Sequence, residues 1–124
     1  MLHKYSDKVY YTDYDEVSDR PVLGYVTGNK YSALVDAGSS PRHINEVLDE
    51  IRELGLREPD FVIITHSHWD HTYGLRALDI PAICNRLTYE LLKHRRCSAV
   101  CPAKSRPDRA CSMSAARSAT ADWE

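Results

Sequence analysis

The sequence predicts an α/β (α+β) domain over residues 1–92, with strands first and then helices alternating with strands. Three observations carry that prediction. Two β-rich runs, Val22 to Thr27 and Tyr31 to Val35, flank Gly28-Asn29-Lys30, residue types that tolerate positive φ, and so read as a hairpin. Ile44, Val47, Leu48, Ile51 and Leu54 recur at helical spacing, which leaves Glu46, Asp49, Glu50, Arg52 and Glu53 for a solvated side. Phe61-Val62-Ile63-Ile64 is an unbroken apolar run behind Pro59-Asp60, too short for most helices, and suits a strand buried on both faces.

The other elements follow in chain order. Tyr5 to Tyr14 is aromatic and β-branched enough for one opening strand, before an acidic turn from Asp13 to Asp19. Pro21 opens the hairpin. Ser40 is placed to cap the helix that Pro41 begins and Gly55 ends. Beyond the apolar strand, Thr72 to Leu78 suits a short helix, Ile80 to Cys84 a strand, and Leu87 to His94 a helix led by Leu87, Leu91 and Leu92. Cys84 reads as a small core residue, whereas His3 and His43 stand alone and are expected in solvent.

Composition bounds the function. The net charge of −2 gives no global reason to expect nucleic acid or an anionic membrane as partner, and the N-terminal tyrosines read as strand residues rather than a stacking platform. No apolar stretch approaches the ~18 residues of a membrane span, and Met1 to Asp7 lacks the apolar core of a secretory signal, so a cytoplasmic location is expected. The charge is unevenly placed: residues 1–92 carry 9 basic and 15 acidic groups, whereas residues 93–124 carry 7 basic and 3 acidic. From Lys93 onward there is no Leu, Ile, Phe or Tyr, and the segment 93–124 is expected to be a disordered Ala/Arg/Ser/Cys tail.

The densest chemistry follows the apolar strand. Thr65-His66-Ser67-His68-Trp69-Asp70-His71 sets three imidazoles and a carboxylate close together. Side chains of an extended segment repeat direction every second residue, so His66 and His68 emerge on one side, ~6.5 Å apart at a rise of ~3.3 Å per residue. Asp70 and His71 come where the chain must turn away, able to face a second ion, with donors suited to Zn²⁺ and its first-row neighbours. A polar loop that is merely rich in histidine is the plain alternative, but four ligand-type side chains behind a buried strand is a far more restrictive pattern.

Thr65 to Gly74, reading THSHWDHTYG, resembles the H-x-H-x-D-H metal motif of the metallo-β-lactamase-fold hydrolases, and Ser32 to Gly38 resembles that family's earlier strand ending in Asp-x-Gly. The resemblance covers roughly residues 5 to 92. It implies the N-terminal half of an αββα sandwich. It also implies a site for two Zn²⁺ ions, with His66 and His68 on the first, Asp70 and His71 on the second, and Asp70 as the catalytic carboxylate. Asp36 would lie beneath them and brace a ligand histidine by hydrogen bonding to its far nitrogen. The implied reaction is hydrolysis of a small ester-type substrate, thioester, amide or phosphodiester by water activated on zinc.

The chain departs from that family downstream, where a third histidine for the first ion, a bridging aspartate and a last histidine are missing. Two protein ligands per ion fall short of the three to four that zinc sites use, so weak activity or none is expected of a truncated or frame-shifted copy. If the second sheet is absent, one apolar sheet face lacks its cover and offers a surface for self-association. Two rival readings remain: a small zinc module built from Cys97, Cys101 and Cys111 with His94, and a nonfunctional gene fragment.

Overall fold

The computed structural model describes residues 1–98. Its elements are β1 (Leu2–Lys4), β2 (Val9–Thr12), β3 (Gly24–Thr27), β4 (Ser32–Val35), α1 (Pro41–Glu53), β5 (Phe61–Ile64), α2 (Trp69–Thr72), a 3₁₀ turn (Tyr73–Ala77), β6 (Ala82–Cys84) and α3 (Arg86–Ser98). The strands form one sheet in sequence order, antiparallel from β1 to β4 and parallel from β4 to β6. The switch to parallel pairing is what α1 makes possible, since parallel neighbours need a long crossover connection.

The strand expected within Tyr5 to Tyr14 is β2, shortened to Val9–Thr12, and it pairs in a hairpin with β1, which precedes the expected range and was not foreseen. The polar Ser6-Asp7-Lys8 stretch cannot hold a ladder position as well as it holds a turn, and the amides of Tyr5 and Ser6 both donate to the Val9 carbonyl, at 2.9 and 3.1 Å. Leu2 then pairs with Thr12 and His3 with Tyr11. The second hairpin forms between β3 and β4, closed by the Gly28 amide donating to the Tyr31 carbonyl at 2.8 Å.

α1 begins and ends where its capping residues place it. The Ser40 hydroxyl accepts from the His43 amide at 3.1 Å, with Pro41 at the first helical position. At the other end Gly55, at φ 66°, donates its amide to Arg52, and the Leu56 amide reaches Ile51, the paired bonds of a Schellman end. Leu54 is thereby left at the cap and exposed, not in the apolar stripe. Ile44, Val47 and Ile51 pack into one core with Leu2, Leu23, Tyr25, Leu34, Val62 and Ile64.

That core lies on one face of the sheet only. Val62 and Ile64 are buried against it, but Ile63, between them, points the other way and is 40% exposed. The expectation that Phe61 to Ile64 is buried on both faces is corrected accordingly: among the described residues no element covers the second face. α3 also runs past residue 93, the expected start of the tail, as far as Ser98. The remaining tail, with Cys101 and Cys111, falls outside the described residues.

Candidate metal centre

The site is assembled where the parallel strands end. The Asp36 amide donates to the Ile63 carbonyl at 2.8 Å, continuing the β4–β5 pairing one residue past β4 and bringing Asp36 beside Thr65. There the backbone turns. Asp36 sits at φ 63°, a left-handed conformation that aspartate tolerates better than most residues and that typically costs of order ~1–3 kcal/mol. Its side chain is almost fully buried and every contact it makes ties a neighbouring segment down. Oδ1 accepts from the Thr65 amide at 2.8 Å and faces the Thr65 hydroxyl at 3.0 Å; Oδ2 faces that hydroxyl and His71 Nδ1, each at 2.8 Å.

The helix α2 is docked against the same corner. Its His71 carbonyl accepts from the Ala37 amide at 2.9 Å, and the Gly74 amide donates to the Gly38 carbonyl at 3.1 Å. Gly74 is obligatory for this approach, because a Cβ there would stand 1.8 Å from the Ala37 carbonyl oxygen. The helix starts three residues earlier than expected, at Trp69 rather than Thr72, so Asp70 and His71 lie in its single turn and not in a departing loop.

Of the predicted ligands, His66 and His71 fall with Asp36 in one grouping within ligand distance, and His68 and Asp70 lie beside it without joining it. The His66 ring lies 4.6 Å from that of His68 and 4.1 Å from that of His71, centroid to centroid. Asp70 Oδ2 is 3.3 Å from His71 Nε2. Asp36, His66 and His71 each offer a donor atom within 4.8 Å of the others, a grouping able to hold an ion. Asp70 and His71 are part-buried, whereas His68 is exposed at the N-terminal edge of α2.

The hydrogen bonds test whether these residues suit a cation. A carboxylate only accepts, so a neutral His71 facing Asp36 carries its proton on Nδ1 and presents a lone pair at Nε2. That lone pair meets a second acceptor, Asp70 Oδ2, at 3.3 Å. Two acceptors so close repel unless a proton or a cation lies between them, and about 3.4 Å is the spacing of two donors on a tetrahedral ion with bonds of about 2.0–2.2 Å. The donor set fits a metal.

The sequence profile of the metallo-beta-lactamase superfamily matches residues 20–92. The chain belongs to the metallo-β-lactamase superfamily. It is also similar to the exodeoxyribonuclease YycJ of Bacillus anthracis, 34% identical over 74 residues, which cover 56% of this chain and 28% of that relative. Among solved structures it resembles the DIM-1 metallo-beta-lactamase, 24% identical with a TM-score of 0.65 over 77% of this chain and 46% of the other. The metallo-beta-lactamase from Hirschia baltica is 21% identical with a TM-score of 0.64, over 77% and 48%. At such identities the likeness to metallo-β-lactamases is one of fold. The chain spans just over a quarter of the curated relative and under half of these structures.

Two residues near the site escaped the sequence reading. His43, expected in solvent, is 4% exposed beneath the Gly38 turn, where the Ser39 amide donates to its Nδ1 at 3.3 Å. Burial pushes its pKa below the usual value, with the Arg20 guanidinium acting in the same direction. The signal was available: position 43 is one turn before Val47 on the buried stripe of α1. Thr65 is the other. It opens the motif, yet nothing in the spacing of metal ligands marks a hydroxyl as part of the machinery.

Proposed function

We propose that this chain holds the metal-binding half of a zinc-dependent hydrolase acting on phosphodiester bonds of nucleic acid. The observation that carries the reading is the facing pair of acceptors, His71 Nε2 and Asp70 Oδ2, with the rings of His66 and His68 alongside. A bound Zn²⁺ supplies a water acidified to a pKa of about 7 and polarises the scissile oxygen. The chain's own residues do the holding. His66, His68, Asp70 and His71 present the nitrogen and oxygen donors that zinc takes. Asp36 does not compete with them, because both its oxygens are already engaged by Thr65 and His71. With side-chain exposure of 24% against 6% for Asp36, Asp70 is the carboxylate that water and substrate reach, so the catalytic role falls to it.

His66, His68, Asp70 and His71 supply four donors in all, enough for one ion and too few for two, of which His66 and His71 already lie within 4.8 Å of each other. One ion per chain is therefore expected, not the two of a complete family site. The substrate class rests on the relative named as an exodeoxyribonuclease, and it runs against the expectation drawn from net charge. The name of that relative, 34% identical over 74 residues, is what favours nucleic acid.

Metal analysis of the purified full chain tests this first: about one Zn²⁺ per chain is expected, kept in Cys97→Ser/Cys101→Ser and lost in His66→Ala/His71→Ala. Metal lost with the cysteines instead would hand the function to the tail module. Hydrolysis of bis(p-nitrophenyl) phosphate and end-labelled single-stranded DNA by the zinc-loaded chain supports the phosphodiester reading. Cleavage of a carboxylic ester or a β-lactam probe, with both phosphodiesters untouched, overturns it.

A further inference from the structure

We propose that the Thr65 hydroxyl fixes the tautomer of His66, relaying the Asp36 carboxylate to a second ligand imidazole so that one buried aspartate orients both His66 and His71. The inference rests on the reading of His66 and His71 as metal ligands. Thr65 Oγ1 lies 3.0 and 2.8 Å from the two oxygens of Asp36 and 2.9 Å from His66 Nδ1. A hydroxyl has one proton to give and lone pairs to accept with, while a carboxylate can only accept. Were the Thr65 proton turned toward His66, the hydroxyl oxygen would face Asp36 Oδ2 at 2.8 Å with no proton between them. The proton therefore goes to Asp36, and the hydroxyl accepts from His66 Nδ1–H.

The consequence for His66 is a fixed polarity. With Nδ1 protonated, its lone pair is on Nε2, the nitrogen left for the ion. His71 reaches the same state by direct contact with Asp36 Oδ2 at 2.8 Å. Histidine ligands commonly take their orientation from a carboxylate or carbonyl on the far nitrogen. Here a single carboxylate serves one ring directly and the other through a threonine. The Thr65 amide, held by Asp36 Oδ1 at 2.8 Å, keeps the hydroxyl aimed. Thr65 is thus a positioning residue that touches neither substrate nor ion.

Long-range ¹H–¹⁵N spectra of the full chain, stripped of metal with EDTA at about pH 8 where ordinary imidazoles are neutral, read the tautomers directly. The wild type and Thr65→Ser are expected to carry the His66 proton on Nδ1. Thr65→Val, which keeps the β-branch and the amide but lacks the hydroxyl, is expected to move His66 toward the Nε2–H form and leave His71 unchanged. Zn²⁺ affinity should fall ~10-fold in Thr65→Val and recover in Thr65→Ser, the loss typical of a missing outer partner. Wild-type His66 protonated on Nε2, or Thr65→Val leaving the proton on Nδ1, overturns the proposal. The wild-type and Thr65→Ser spectra decide it even if the valine variant fails to fold. A wild type with both Nδ1–H signatures that binds no zinc would support this role for Thr65 while overturning the metal-site reading.

Discussion

Asp36 is the residue on which the corner of this molecule depends. It accepts hydrogen bonds from two segments that are distant in sequence, and it adopts a left-handed backbone to do so. In Asp36→Ala the Thr65 amide and His71 Nδ1 lose their acceptor, so a loss of about 1–3 kcal/mol is expected in urea unfolding. Zinc affinity should fall ~10- to 100-fold in the same variant. His43 gives a second prediction at this scale. Its folded pKa is depressed by burial, so the neutral ring's contribution to stability is complete above the unfolded value of 6.5 and is lost as the pH falls through the folded value. The charged groups around it are Arg20 and Glu46, which pair at 2.6 Å, together with Asp15 and the N-terminus. The urea midpoint of the wild type should drop between about pH 7 and pH 5 more steeply than that of His43→Gln, and parallel slopes would refute the assignment.

At the scale of elements, the contact that matters is between the turn after β4 and the short helix carrying Asp70 and His71. α2 has a single turn and no side-chain cap, so little of its stability is its own. It is held by two backbone bonds to Ala37 and Gly38 and by the absence of a side chain at position 74. Gly74→Ala would drive a methyl into the Ala37 carbonyl, and neither backbone can yield without separating Asp36 from His71. The expected loss is at least the ~1–3 kcal/mol of ordinary overpacking, with a fall in zinc affinity that Gly55→Ala, whose cost comes from its φ of 66° and not from any atom within 4 Å, does not share. Thermal unfolding and zinc titration of the two variants check this.

At the scale of the whole molecule, the dominant feature is a sheet face that no other described element covers. Tyr11, Gly24, Val35, Ile63 and Ile83 lie in register across β2 to β6, and Val9, Val26, Ala33 and Phe61 form the row beside them. Neither row contains Lys, Arg, Asp or Glu, the residues that usually guard an exposed sheet. Tyr11, Val26, Ile63 and Ile83 are each about two-fifths exposed, at 41, 38, 40 and 40%. We propose that this face drives association of the isolated chain. Sedimentation velocity should show dimers or larger species for the wild type and a shift to monomer for Ile63→Lys, which plants a charge at the centre of the row. A wild type that stays monomeric at high concentration would refute it.

The sequence by itself determined the local elements and the donor set. The helix stripe, its serine and glycine ends, the β3–β4 turn and the H-x-H-x-D-H spacing are all properties of neighbours in the chain, where period and residue type act directly. Those same residues carry the family. β1 was missed because Leu2-His3-Lys4 is too short to show a strand period, and the strand after it was drawn from Tyr5 because tyrosine-rich β-propensity hid the polar Ser6-Asp7-Lys8 turn. What the tertiary structure alone decided were particular meetings of distant segments: that His71 is the histidine Asp36 braces, that Asp36 also holds Thr65, that His43 lies under the Gly38 turn, and that one face of β5 is left over. Such contacts depend on strand register and on how closely two backbones approach. Hydrophobic period records that a residue is buried, but not which hydrogen-bond partner waits for it there.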